Sequence, residues 1–276
     1  MRKPVLLLIA LFSLGVPRAN AFVFYLVGNN PLRWNLASSE VSTNVVNRVT
    51  KKVRYFIASD FYSASNKINA WNAIRACFAQ WSSVPGSNLQ FEEGGLAPVQ
   101  TDTVYDNMNT IFWAKQSLYV YGGLVNLSGR RGWTYVTFST DGSILDADII
   151  LNGIQYEWFT DFNNSSNQAQ FVESILLHEI GHFIGLDHSP AGGATVANGP
   201  NGIGTQAGLS ADEVAAMRYL YPDTRFTWAS IRGKVMNGGS GVFGAIVVAE
   251  DSAGNIASAT VSRSDGSYDI FSLPAG

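Results

Sequence analysis

All three histidines of the 276-residue chain fall within one run, His178-Glu179-Ile180-Gly181-His182-Phe183-Ile184-Gly185-Leu186-Asp187-His188. On a helix, a spacing of four puts His178 and His182 on one face, one turn apart, where both imidazoles reach the same metal ion. Glu179 projects beside them, placed to act through a water on the metal rather than as a ligand. Gly185 can take a left-handed conformation, end the helix and fold the chain back so that His188 supplies a third nitrogen. Three neutral imidazoles with an open fourth position describe a catalytic zinc site, because structural sites are normally closed by four protein ligands. Zinc in such a site lowers the pKa of its water toward ~7 and polarises a carbonyl, with Glu179 taking and relaying the proton. A helix carrying histidines by accident would have to place every histidine of the chain, a Glu and a Gly correctly, so zinc binding is the reading adopted.

The elements that must position this run are legible around it. Val53–Ile57 reads as a strand, and Ile68, Trp71, Ile74, Phe78 and Trp81 recur at helical spacing after a cap at Ser65 or Asn66. Short strands are expected near Leu89–Phe91, Thr110–Trp113 and Trp133–Ser139, and another at Ser143–Leu151 after the Asp141-Gly142 turn. Ser165-Ser166-Asn167 should start the helix that carries the histidines, from about Gln168 to Ile184. Ser210-Ala211-Asp212-Glu213 is a capping box opening a helix with Val214, Met217 and Leu220 on one face, stopped by Pro222. Cys77 lies on the apolar side of its helix and reads as a small buried hydrophobe.

The histidine run resembles the zinc signature of the metzincin clan, and Ser189 after the third histidine resembles its matrixin branch. Arg33-Trp34, Ala79-Gln80-Trp81 and Phe91-Glu92-Glu93 are similar to the N-terminal half of secreted bacterial matrixin-like peptidases. Gly142–Ile149 is similar to their edge-strand region, and Leu209–Glu213 with Tyr219-Leu220-Tyr221-Pro222 to their closing helix. The resemblance implies an α+β fold, with a twisted mixed β-sheet, packed helices and zinc on the active-site helix. It also implies an extended peptide substrate along the edge strand and endopeptidase activity with Glu179 as general base and acid. The clan's Met-turn places methionine where this chain has Val196, which leads us to expect a looser floor to the site. Asn198 stands where some branches of the clan have a tyrosine ligand. No cysteine switch is found, so thiolate latency is not expected.

Composition narrows the alternatives. The net charge of −3 gives no electrostatic footprint for nucleic acid, and one cysteine excludes an intramolecular disulfide framework. Arg2 and Lys3, the apolar stretch from Val5 to Leu14 and Ala19-Asn20-Ala21 form a secretory leader, residues 1–21, well short of the ~20 apolar residues that span a bilayer. The catalytic domain is then expected at 22–224, in a protein secreted to the cell exterior or held in the periplasm or at the cell surface. Asp146 and Asp148, two apart on a strand, could share a calcium ion, although ordinary solvated carboxylates are the favoured reading. From residue 230 to 276 the texture changes to short strands and Gly-rich turns, similar to a carboxypeptidase-regulatory-like β-sandwich. The chain stops at the Leu273-Pro274-Ala275-Gly276 turn, so this module is expected to lack its last strand, and to bind a surface or another chain. The competing functional reading is a non-catalytic extracellular binding or adhesion protein on a degenerate peptidase scaffold. Retention of Glu179 favours the enzyme.

Overall fold

The strand expected at 53–57 runs from Lys52 to Ala58 (β1) and organises the sheet of this computed structural model, which describes residues 23–60, 62–63, 67–97, 104–161, 169–197 and 208–274. The helix that follows spans Lys67–Ser82 (α1), and its buried face is Trp71, Ile74, Cys77, Phe78 and Trp81, as the periodicity requires, except that Ile68 in the first turn is exposed. Strands Phe91–Ala97 (β2), Thr110–Ala114 (β3), Gly132–Phe138 (β4) and Ile144–Asn152 (β5), with the short Val46–Asn47 paired antiparallel to β1, complete the sheet. β1 pairs in parallel with both β2 and β3, β3 pairs in parallel with β5, and β4 closes the edge antiparallel to β5. The sheet is therefore mixed, and the fold is α+β as expected.

Every residue of β5 is buried, whereas β4 is the last strand of its side of the sheet and is only half-buried from Gly132 to Thr134 and at Val136. This corrects the expectation that Gly142–Ile149 forms the edge. A strand with Ile149, Ile150 and Leu151 on consecutive positions has apolar groups on both faces and needs cover on both, which only an interior place provides.

The helix that carries the histidines spans Val172–Phe183 (α2), four residues shorter at its N-terminus than expected. Gln170–Phe171 instead pairs in parallel with Trp158–Phe159, so strand pairing takes the residues that would have extended the helix. The expected caps at Ser65, Asn66 and Ser165–Asn167 lie outside the described residues, as does the leader. All of α2 except Glu173 is buried, with Ile175, Leu176, Leu177, Ile180 and Phe183 supplying the apolar surface. α2 packs on α1, β4 and β5. Two carbonyls at its C-terminal end are satisfied by side chains, with Trp34 Nε1 donating to Phe183 O at 3.0 Å and Tyr221 Oη to Ile184 O at 2.7 Å, and Trp81 Nε1 donates to Leu177 O at mid-helix at 3.2 Å. The tryptophans and tyrosine singled out in the sequence are thus the clamps that fix the axis of α2.

Ala211–Leu220 (α3) opens on the expected capping box of Ser210 and Glu213. Beyond it lie strands Ala229–Lys234 (β6), Ile246–Glu250 (β7), Ile256–Val261 (β8) and Ser267–Leu273 (β9). β6 pairs with β9 and β7 with β8, both antiparallel, and β8 and β9 both pack on α3. Among the described residues no helix is long and apolar enough to cross a membrane.

Candidate metal centre

α2 ends two residues before Gly185, and the way it ends decides where His188 goes. Gly185 has φ of 100°, Gly185 N donates to His182 O at 2.9 Å, and Leu186 N donates to Gly181 O at 2.9 Å. This is a Schellman stop, which turns the chain back over the last turn of the helix. A Cβ at Gly185 would also run into Leu32 O, so both conformation and space demand glycine here.

The fold-back brings the third imidazole to the first two. Potential ligand atoms of His178, His182 and His188 all lie within 4.8 Å of one another. His178 Nδ1 donates to Thr195 O at 3.0 Å and His182 Nδ1 to Leu186 O at 2.8 Å. Those bonds fix the tautomer, leaving the Nε2 lone pairs free and directed inward. The two Nε2 atoms are 3.2 Å apart. Two ligands at ~2.0–2.1 Å from a tetrahedral zinc ion sit ~3.3 Å from each other, so the spacing matches the ion. Burial pushes the His178 pKa down to about 4, and burial likewise lowers those of His182 and His188. Neutral imidazoles are the state a metal needs. The donor set and its geometry fit zinc.

Glu179 is buried, and burial pushes its carboxyl up to about 7 against the Thr134 hydrogen bond and the Arg130 charge, which lower it. Thr134 Oγ1 lies 2.7 Å from Glu179 Oε2 and 2.9 Å from Glu179 O. The neighbouring Gly132 leaves room for the other oxygen, since a Cβ there would stand 2.7 Å from Glu179 Oε1. β4 therefore seats the carboxylate, a role for Gly132 and Thr134 that no local sequence pattern announces.

Val196 is 1% exposed, and its side chain occupies the space directly beneath Gly181, between the two helical ligands. The floor that was expected to be loose is filled at this point. The loop holding Val196 is tied by Ser189 N donating to Val196 O at 2.7 Å and by Val196 N donating to Glu213 Oε1 at 3.0 Å. The N-terminal segment closes the other side. Phe24 bridges Leu186, Asp187 N donates to Val23 O at 2.8 Å, and the Tyr25 ring stands 5.7 Å from that of His182.

Asp146 and Asp148 are buried side by side rather than solvated. Thr110 N and Tyr121 Oη donate to the two oxygens of Asp148, at 2.8 and 2.7 Å, while Asp146 Oδ1 has no hydrogen-bond partner. Of the aromatics on and near β3 and β4, Trp113 and Tyr121 are core, Tyr119 is exposed, and Trp133 is partly covered under Arg130. Asn198 and much of the loop from Pro190 to Gly208 lie outside the described residues.

No curated protein matches this chain in sequence. The sequence profile of the matrixins does match it, over residues 47–222, a span that includes β1 to β5, the helices α1, α2 and α3, and the three histidines. With the profile covering more than half of the chain and the three histidines converging as described, the chain belongs to the matrixin family of metallopeptidases.

Proposed function

We propose that this protein is a secreted zinc endopeptidase in which Glu179 serves as general base and then general acid in peptide-bond hydrolysis. The observation that supports this most is the Glu179 carboxylate held by Thr134 beside three imidazoles whose free nitrogens converge. Zinc held by His178, His182 and His188 supplies Lewis acidity, polarising a carbonyl and bringing the pKa of water toward ~7. The residues of the chain do the remaining work. Glu179 takes a proton at one carboxylate oxygen from the attacking water and hands it to the leaving amine. Thr134 keeps that carboxylate from rotating away. β4, as the edge strand, offers backbone groups to which an extended peptide can add as a further strand.

Secretion rests on the leader at residues 1–21, and the outer side of the C-terminal strands, where Phe243 and Ile246 are exposed, is the part assigned to a surface or another chain. A calcium ion shared by Asp146 and Asp148 would have to rely mainly on Asp146 Oδ1, since Asp148 already accepts hydrogen bonds at both oxygens.

The test is cleavage of a denatured protein by the wild type, by Glu179→Ala, and by wild type after chelation and after zinc is restored. Cleavage lost in the second and third cases and recovered in the fourth supports the reading. Cleavage indifferent to all of these sinks the zinc mechanism, and a zinc-loaded wild type that cleaves nothing points to the non-catalytic binding protein.

A further inference from the structure

The two residues that flank the fold-back to His188 are both connected to the C-terminal strands. On one side, Ser189 Oγ donates to Asp212 Oδ2 at 2.6 Å, and the other oxygen of Asp212 accepts from Ser258 Oγ at 3.0 Å and Ala259 N at 2.8 Å. Asp212 is 3% exposed, and Ser258 and Ala259 on β8 are fully buried. Ala191 and Ala194, in the loop after His188, pack against Ala259. On the other side, Phe271 of β9 stacks on Tyr219 at 4.8 Å, Tyr219 stacks on Phe24 at 5.5 Å, and Phe24 forms a strand bridge with Leu186. α3 lies between and carries both Asp212 and Tyr219. The linker is docked as well: Arg218 covers the Trp228 ring at 3.9 Å, and Gly86 leaves no room for a Cβ beneath that ring.

We infer that the C-terminal strands are a working part of the metal centre, with Asp212 as the positioning residue that couples Ser258 and Ala259 of β8 to Ser189 and so to His188. This inference rests on the zinc reading of the histidine cluster. The physical argument is one of constraint. Residues 184–197 form no regular element of their own apart from two bridges, so the direction of the His188 ring is set by what grips the chain beside it. Asp212 and Glu213 sit next to each other on the first turn of α3 and grip that loop at Ser189 and Val196 respectively. Glu213 needs only the catalytic part. Asp212 has one oxygen for Ser189 and gives the other wholly to β8. Loss of the Ser258 hydroxyl leaves that buried carboxylate oxygen with Ala259 N as its one donor from β8, and Asp212 then turns or takes on water to replace the lost bond. Either movement loosens Ser189, one residue from a ligand. Residues that orient metal ligands at one remove typically change metal affinity by 10–100-fold when altered.

The test uses the full chain. Zinc affinity is measured by competition with a chromophoric chelator, and the cobalt-loaded protein is examined for the visible bands of its metal site, in wild type, Ser189→Ala, Asp212→Asn, Ser258→Ala and the Ser189→Ala/Ser258→Ala pair. Lys234→Ala, at an exposed ion pair on β6, is the control. The inference expects zinc affinity to fall by about tenfold in Ser258→Ala, with altered cobalt bands, although Ser258 touches no ligand. It expects the double variant to lose no more than the worse single one, because both act through Asp212. Should Asp212→Asn fail to fold, the Ser258→Ala comparison carries the decision alone. Wild-type affinity and bands in folded Ser258→Ala and Ser189→Ala overturn the inference while leaving the zinc reading intact. A wild type that binds neither metal overturns both.

Discussion

Thr134 Oγ1 on the edge strand stands 2.7 Å from Glu179 Oε2 on the buried helix, and this single hydroxyl fixes one oxygen of the buried carboxylate that follows His178. The same hydroxyl has a second acceptor, Glu179 O, at 2.9 Å. It has one proton to give, and the two acceptors belong to the same residue, so Thr134 holds Glu179 in either case. Hydrogen bonds to charged groups are worth about 1.5–3 kcal/mol. Thr134→Val is therefore expected to lower kcat by roughly 10- to 100-fold with little change in zinc content, and Thr134→Ser to retain most activity. Equal kcat for the valine variant and wild type, measured on a peptide substrate, would show that the carboxylate is held by other means.

Gly181 and Val196 form a second tight pair, with valine filling the space where an alanine Cβ would go. Gly181→Ala overpacks a buried site between two ligands and is expected to cost about 1–3 kcal/mol of stability. Val196→Ala opens a small cavity and is destabilising by itself. Combined, the two should be less harmful than their sum, because the added methyl enters the vacated space. Urea unfolding of the four proteins of the cycle measures this, and simple additivity would contradict the packing described.

Gly185 is constrained twice, by φ of 100° and by the approach of Leu32 O. Gly185→Ala must therefore shift the N-terminal segment as well as strain the turn. Zinc affinity should fall together with thermal stability, since the fold-back carries His188. A variant that melts earlier yet binds zinc as tightly as wild type would separate the turn from the site.

The Asp146–Asp148 pair makes a prediction about pH. Burial raises both carboxyls above their ordinary range, and each carboxylate, with Asp106 nearby, disfavours the ionisation of the other. Both carboxyls accept hydrogen bonds that favour their charged forms, Asp148 from Thr110 N and Tyr121 Oη at both oxygens and Asp146 from the Asn107 and Met108 backbone, but Asp146 Oδ1 has no partner, so Asp146 is the one that keeps its proton. A raised folded pKa means that the native state binds more protons than the unfolded chain between the ordinary carboxylate value of ~3.9 and the folded pKa values. Stability should then fall as pH rises from that value through the folded pKa values, and the pair contributes no slope below it. Asp146→Asn mimics the protonated acid and should flatten this decline, seen as a smaller difference between urea midpoints at pH 5 and pH 8. An unchanged difference would mean that these carboxyls are not the source of the slope.

The sequence by itself determined the three histidines that converge, the adjacent carboxylate and the glycine that ends the helix, because these depend on spacing within one turn of helix and on one backbone conformation. It also determined the capping box of α3 and the apolar face of α1, which follow from local hydrogen bonding and periodicity. The start of α2 and the place of β5 were decided elsewhere: pairing of Gln170–Phe171 with Trp158–Phe159 shortened the one, and cover on both faces drew the other into the sheet interior. Only the tertiary structure joined Thr134 to Glu179 across 45 residues and Asp212 to Ser258 across 46. A threonine on an edge strand and an aspartate in a first helical turn have ordinary local reasons to be where they are. What sets them to work is the packing of β4 on α2 and of β8 on α3, and such long-range contacts leave no period or spacing in the chain to read.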